Sequence, residues 1–128
     1  MYPRTSIGII VKWLPGHVRY SHNLGRQLAA SDGNTAATYY VRLAGDSMQG
    51  AGLYDGDILV VDRSLEPKHN DIVIAVLNGE LTVKRRLRQG TLVQLRPANH
   101  RYPIITVTPD QELLIWGVVT GSIRQFHR

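Results

Sequence analysis

The sequence contains no cysteine among its 128 residues. This absence excludes a disulfide scaffold and any thiolate metal site, and it fits a protein that works in a reducing compartment. No apolar run approaches the length that spans a bilayer, and the first residues show no positively charged segment followed by an apolar stretch. We therefore expect a cytoplasmic protein with no membrane partner.

Residues that could hold a metal ion are also sparse. His17 and His22 are too few for a site without cysteine or clustered carboxylates. Asp55, Asp57 and Asp62 recur along one segment, which predicts a solvent-facing edge with turn hydrogen bonds and not a calcium site. We expect neither a metal ion nor any other cofactor.

Aromatic residues make up only 7% of the chain, whereas 15 Lys and Arg outnumber 10 Asp and Glu. Much of the positive excess lies in residues 84–88 and 124–128. Clustered basic side chains can neutralise nucleic-acid phosphates, but residues 84–88 include no aromatic residue and residues 124–128 include only Phe126, so there is no series of aromatic side chains to stack on bases. A solvated face or a surface for an acidic partner protein explains the charge as well, so direct nucleic-acid binding is not expected.

The organisation of the chain changes near Ala37. Before it, residues 6–13 predict a short strand and Ser21 is placed to cap a short helix, with a loop at 31–34. After it, turn residues separate successive β-branched runs at 38–43, 58–62, 71–77, 80–88, 92–96, 104–107 and 112–123. The sequence therefore predicts an N-terminal arm (residues 1–37) and a mostly β domain (residues 38–128) of several curled antiparallel sheets. Asn78-Gly79 predicts a hairpin within that domain.

Ser47 and Lys84 form a candidate catalytic pair. Ser47 lies in a glycine-punctuated loop, where backbone N–H groups could stabilise an oxyanion, and Lys84 alternates with Thr82 along a predicted strand. A serine hydroxyl needs a base to take its proton, and a lysine is a base only when neutral, which burial in apolar surroundings favours. Each residue taken singly also has an ordinary explanation, since loop serines bond the backbone and strand lysines usually face solvent.

Four motifs surround this pair: G-D-S-M at 45–48, Y-D-G-D-I-L-V-V-D at 54–62, L-T-V-K at 81–84 and I-W-G-V-V at 115–119. Their order and spacing resemble the self-cleaving serine peptidases of the LexA and UmuD family, over residues 38 to 126. The resemblance implies the compact, mostly β peptidase fold of that family.

The resemblance also implies a role for each residue of the site. Ser47 matches the nucleophile, Lys84 the general base, and Thr82 the residue whose hydroxyl orients the lysine amine. The backbone amides of Asp46 and Ser47 match the oxyanion hole, so the Asp46 side chain is expected to be solvated. Met48 matches a residue that packs beside the nucleophile, although filling the core is an equally good interpretation.

The arm is too short for the three or four helices of a DNA-binding domain, so the chain resembles UmuD-like members and not the repressors. This resemblance implies an accessory subunit of an error-prone translesion DNA polymerase in the SOS response to DNA damage. It implies a homodimer, a UmuC-type polymerase partner, and a RecA filament on single-stranded DNA that stimulates removal of the arm.

The arm departs from the family at the bond that is cut. Family members usually cut at Ala-Gly or Cys-Gly, and neither dipeptide occurs in residues 1–37. The bond between Leu24 and Gly25 is the expected site, because the residues before it predict a marginal helix that opens at little cost. The alternative is a dimeric binding module that is not cleaved and that regulates a polymerase or repressor partner.

Overall fold

The computed structural model describes residues 7–11, 37–124 and 126. The predicted helix after Ser21, the loop at 31–34 and the bond between Leu24 and Gly25 lie outside these residues. The described strands are β1 (Ile7–Val11), β2 (Thr38–Leu43), β3 (Ile58–Asp62), β4 (Ile72–Leu77), β5 (Glu80–Gln89), β6 (Leu92–Arg96), β7 (Ile105–Val107) and β8 (Leu113–Ile123).

The strands follow the β-branched runs of the sequence closely. Strands β2, β3 and β6 coincide with their predicted runs, and β4, β5, β7 and β8 each differ by one residue at one end. Among the described residues the helical content is a single 3₁₀ turn, Gln49–Ala51. No helix in that part of the chain is long and apolar enough to cross a membrane. The mostly β prediction is confirmed.

The predicted hairpin joins β4 to β5. Asn78 and Gly79 have φ angles of 49° and 83°, the left-handed pair that a type I′ turn requires and that Asn-Gly adopts readily. The turn sets the register of the two strands, with Leu77 opposite Glu80 and Val73 opposite Lys84. A local turn signal therefore determines which β4 residue the candidate base faces.

The eight described strands form one antiparallel sheet in the order β1-β2-β3-β8-β4-β5-β6-β7. Strand β8 pairs with β3 on one side and β4 on the other, and Thr120 and Trp116 are extra residues at its two register shifts. Such bulges bend a strand and increase its twist. Strands β1 and β5 approach to within 8 Å between Cα atoms, whereas five strand spacings in a flat sheet would separate them by about 24 Å. The sheet is therefore strongly curled.

Two of the clusters of buried apolar side chains in the curled sheet lie around β4 and β5. The larger lies behind the loop that carries Ser47 and contains Val41, Leu43, Met48, Leu53, Leu59, Val61, Ile74 and Val83. The smaller contains Val73, Ala75, Leu95 and Val118. Strand β4 contributes side chains to both clusters. Strands β4 and β5 each have buried side chains on both faces.

Gly117 provides a test of this packing. A Cβ atom at this position would lie 2.5 Å from a γ carbon of Val61, which is fully buried, whereas a Cβ at Gly121 of the same strand would meet nothing within 4 Å. We predict that Gly117→Ala lowers the free energy of unfolding by about 1–3 kcal/mol through overpacking. Gly121→Ala is the matched control and should change it by much less. Urea unfolding of both variants checks this, and equal effects would contradict it.

Candidate active site

Ser47 and Lys84, which are 37 positions apart in the chain, meet at the centre of the candidate site. Lys84 Nζ lies 3.2 Å from Ser47 Oγ, and each residue is only 2% exposed. Ser47 lies in the loop between β2 and the 3₁₀ turn, and Lys84 lies on β5. The prediction that these two side chains adjoin is confirmed.

The environment of Lys84 favours its neutral form. The amine donates a hydrogen bond of 2.6 Å to Thr82 Oγ1, as expected for two side chains on the same face of a strand. Val73, directly opposite on β4, is fully buried. Burial lowers the pKa of the Lys84 amine from its ordinary 10.5 to about 8, because removing the charged form from water is costly. The amine can therefore act as a base at mildly alkaline pH.

The Asp46 side chain keeps contact with solvent, being 26% exposed, but it also has two side-chain partners. Its carboxylate accepts hydrogen bonds from the Tyr102 hydroxyl and, at 2.8 Å, from Arg101 Nη2. The Tyr102 hydroxyl first, and Arg101 after it, hold the pKa of this carboxyl below its usual value. No local pattern predicts these contacts, because the partners are 55 and 56 positions away in the chain.

The loop between β6 and β7 also forms backbone hydrogen bonds with the loop that carries Ser47. Ala98 N–H donates to the Ser47 carbonyl at 2.8 Å, and Gly50 N–H donates to the Ala98 carbonyl at 2.6 Å. A Cβ on Gly50 would lie 2.6 Å from that carbonyl oxygen, so the close approach requires glycine. Asn99 Nδ2 donates to the Asp46 carbonyl at 3.0 Å. Residues 97–99 (Pro-Ala-Asn) have the composition of an ordinary turn, so the sequence does not predict this role.

Backbone N–H groups on either side of the Ser47 side chain have no acceptor among the residues that the structure describes. None of the residues in the described part of the chain accepts a hydrogen bond from the N–H of Asp46 or of Ser47. Both groups flank the Ser47 side chain in the sequence. Such donors are available to an oxyanion that forms next to Ser47 Oγ.

Met48 follows Ser47 and is fully buried in the larger apolar cluster. Its backbone carbonyl accepts hydrogen bonds from the N–H groups of Ala51 and Leu53. The side chain therefore anchors the loop in the core immediately beside Ser47, and the two interpretations drawn from the sequence describe the same position.

Asp55 bonds the loop that carries Ser47, and Asp57 bonds the turn that follows the 3₁₀ turn. Asp55 Oδ1 accepts the N–H of Gly45 at 2.8 Å, and Asp57 accepts that of Tyr54 at 2.8 Å. Turn hydrogen bonding is thus confirmed, but the solvent-facing position predicted for Asp57 is wrong: it is 2% exposed and paired with Arg124 at 2.9 Å. Burial raises the pKa of Asp57, but Arg124 and the Tyr54 N–H outweigh it and hold that pKa below its usual value.

In the described part of the chain, no three His, Asp or Glu side chains lie close enough to hold a metal ion.

The basic segment after Lys84 bonds the loop that precedes β4. His69 Nδ1 accepts the N–H of Arg88 at 2.9 Å. Arg85 donates to the Asn70 carbonyl at 2.8 Å. The basic segment after Lys84 thus helps to hold the loop that precedes β4.

This geometry agrees with the comparison to known protein families. The family model for Peptidase S24-like proteins matches residues 15–120. The chain belongs to this family. Protein MucA of Salmonella typhimurium is 46% identical over 89 residues, which cover 69% of this chain and 60% of MucA. Protein SamA of the same species is 49% identical over 90 residues, covering 70% of this chain and 61% of SamA.

The LexA repressor of Methylococcus capsulatus is 45% identical over 87 residues, covering 67% of this chain and 43% of the repressor. MucA, SamA and LexA are LexA/UmuD-type members of the family, so the resemblance drawn from the motifs is confirmed. The matched region spans about 60% of the length of MucA and of SamA.

The lowered pKa of Lys84 predicts how the free energy of unfolding depends on pH. Between pH 8 and 10.5 the unfolded chain binds the Lys84 proton and the folded chain does not, so stability should rise with pH across this window. Below pH 8 both states are protonated, and the cost of the buried charge, about 3 kcal/mol from the two pKa values, applies in full. We predict that Lys84→Met is more stable than its parent by up to about this amount at pH 7, with the difference vanishing towards pH 10.5.

Urea unfolding at several pH values measures this difference, with both proteins in a Ser47→Ala background so that neither is cut. The matched control is Lys68→Met, because Lys68 is exposed and its substitution removes no buried charge. A stability difference for Lys84→Met that does not change with pH would contradict the prediction.

Proposed function

We propose that this protein is a UmuD-like serine peptidase that cuts a peptide bond in its own N-terminal segment, with Ser47 as nucleophile and Lys84 as base. The observation that carries the proposal is the 3.2 Å separation of Lys84 Nζ and Ser47 Oγ in a site where both residues are buried. The lowered pKa of Lys84, about 8, supplies a neutral amine under mild conditions. Membership of the Peptidase S24-like family supports a peptidase.

The reaction follows from the positions of these groups. Neutral Lys84 takes the proton of Ser47 Oγ as that oxygen attacks the carbonyl carbon of the scissile bond. The N–H groups of Asp46 and Ser47 donate to the oxyanion that forms. Lys84 then gives the proton to the leaving amine, and a water molecule hydrolyses the acyl-enzyme by the same route in reverse. Thr82 Oγ1 accepts a hydrogen bond from the Lys84 amine at 2.6 Å. This bond orients the lone pair of the amine nitrogen towards Ser47.

In this proposal residues 38–128 are the peptidase domain and residues 1–37 are the arm that is cut. The segment from Gly25 to Ser47 reaches up to roughly 70 Å when extended, so the bond before Gly25 can reach Ser47 within one chain or across a dimer. Strand β1, which belongs to the arm, pairs with β2 and approaches β5, the strand of Lys84. This pairing brings β1 close to the strand that carries Lys84.

The same pairing favours the second candidate function, a binding module whose arm is a fixed strand and is never cut. Strand β1 forms one edge of the sheet through its pairing with β2. The arm also lacks the Ala-Gly and Cys-Gly dipeptides of the family. In this alternative the protein acts by dimerising and by contacting a polymerase or repressor.

The cellular role that we propose is that of an accessory subunit of a UmuC-type translesion polymerase in the SOS response. The protein would act as a cytoplasmic homodimer, with cleavage stimulated by a RecA filament on single-stranded DNA. Likeness to MucA and SamA over the matched region supports the UmuD-like assignment on which this role rests.

Cleavage should depend on pH through Lys84. We predict that the rate rises as pH increases through about 8 and then levels off, because only the neutral amine accepts the Ser47 proton. Ser47→Ala and Lys84→Ala should each abolish cleavage, and so should Lys84→Arg, because a guanidinium keeps its proton in this range. Mass spectrometry of the purified chain across pH 6–10 follows the reaction. Cleavage by Lys84→Arg would show that another group is the base.

Whether the arm is cut distinguishes the two candidate functions, and the new N-terminus of the product shows which bond is cut. We predict that incubation with a RecA filament on single-stranded DNA yields a product that begins at Gly25, and that cleavage without RecA is slow. N-terminal sequencing of the product measures this, with Ser47→Ala as control. A product that begins near Trp13 would place the cut within residues 10–14, the stretch that corresponds to the family's usual position. A chain that stays intact with RecA and at alkaline pH would support the uncleaved binding module.

A further inference from the structure

One turn of the β6–β7 loop contacts the residue before Ser47 with three side chains. Asn99 donates to the Asp46 carbonyl at 3.0 Å, while Arg101 and Tyr102 donate to the Asp46 carboxylate. Three side chains within four consecutive positions thus form hydrogen bonds to one residue that is more than 50 positions away in the chain. None of the three touches Ser47 or Lys84 through a side-chain hydrogen bond in the described part of the chain.

The Asn99 side chain is itself held in one orientation. Its Oδ1 accepts the N–H of Arg101 at 3.0 Å, and the Tyr102 N–H donates to its backbone carbonyl at 3.0 Å. An amide whose oxygen faces an N–H must turn its NH₂ group the other way, here onto the Asp46 carbonyl. The turn therefore presents a fixed donor to that oxygen.

The bond to the Asp46 carbonyl determines where the Ser47 N–H points. The two groups belong to one planar trans peptide, in which C=O and N–H are directed oppositely. The N–H of Gln49 also donates to this carbonyl, but at 3.3 Å, so Asn99 makes the shorter bond. With the oxygen held towards the β6–β7 loop, the Ser47 N–H is turned away from that loop and keeps no acceptor among the described residues.

We infer that Asn99 is a positioning residue for the oxyanion hole: by holding the Asp46 carbonyl, it orients the Ser47 N–H towards the oxyanion of the reaction. The inference rests on the proposed peptidase function and adds a residue that contacts neither substrate nor base. Losing an oxyanion-hole donor altogether lowers a rate by about 100- to 1000-fold. Misdirecting one that remains present should cost less, about 10- to 100-fold.

The test is Asn99→Asp, which keeps the oxygen that bonds the Arg101 N–H and replaces the NH₂ donor by an oxygen facing the Asp46 carbonyl. The matched control is Gln94→Glu, the same change of amide to carboxylate at a side chain whose Nε2 bonds Thr106 Oγ1 at 3.1 Å on the neighbouring strand. Asn99→Ala removes the donor without adding charge and serves if Asn99→Asp does not fold. Thermal unfolding establishes that each protein is folded.

Two measurements are made on each protein. The first is the cleavage rate as a function of pH, and the second is the affinity for phenylboronic acid, which forms a tetrahedral adduct on an activated serine with a negatively charged oxygen. We expect Asn99→Asp to lower the plateau rate and the boronate affinity by about 10- to 100-fold each. The pH midpoint should stay at the wild-type value, because Lys84 is untouched. Gln94→Glu should match the wild type in every measurement.

The outcomes distinguish this inference from the proposed function. A plateau rate and boronate affinity of Asn99→Asp equal to the wild type would overturn the inference and leave the peptidase proposal standing. A shifted pH midpoint, or a rate loss with unchanged boronate affinity, would also overturn it, since the asparagine would then act on the base or on the fold in general. A wild-type protein that neither cleaves nor binds phenylboronic acid would overturn the proposed function, and the inference with it.

Discussion

The buried amine of Lys84 is the constraint on which the site depends. Its charged form is poorly solvated there, which lowers its pKa to about 8, and the fold must supply the free energy that this burial costs. That free energy comes from the packing on both faces of β4 and β5, where Val73, Ile74 and Val83 are fully buried. A lysine placed on an exposed edge strand would keep its proton and could not serve as a base.

A neutral base is useful only if the serine beside it is held in place. The Ser47 loop is fastened by the β6–β7 loop, through Ala98 and Asn99. Asp55 accepts the Gly45 N–H of the same loop, and Arg124, paired with Asp57, donates to the Gly52 carbonyl just after the 3₁₀ turn. These contacts fix a loop without regular secondary structure, and fixed donors stabilise developing charge without reorganising during the reaction.

The wrong prediction for Asp57 and the unpredicted partners of Asp46 share one physical cause. Each carboxylate meets an arginine far along the chain, Asp46 with Arg101 and Asp57 with Arg124. Such pairs have no local periodicity, because they form only when a curled sheet brings distant loops together. Asn99 was overlooked for the same reason.

The sequence by itself determined the strands, the Asn78-Gly79 hairpin and the identity of the candidate pair. Strand runs and turns depend on backbone preferences of neighbouring residues, and the motifs around Ser47 and Lys84 are contiguous in the chain, so both can be read locally. Only the tertiary structure decided that the two side chains lie 3.2 Å apart, that the lysine is desolvated, and that the β6–β7 loop holds the residue before the serine. Distance and solvation depend on how the bulges of β8 curl the sheet, and curvature is a property of all the pairings together that no single segment encodes.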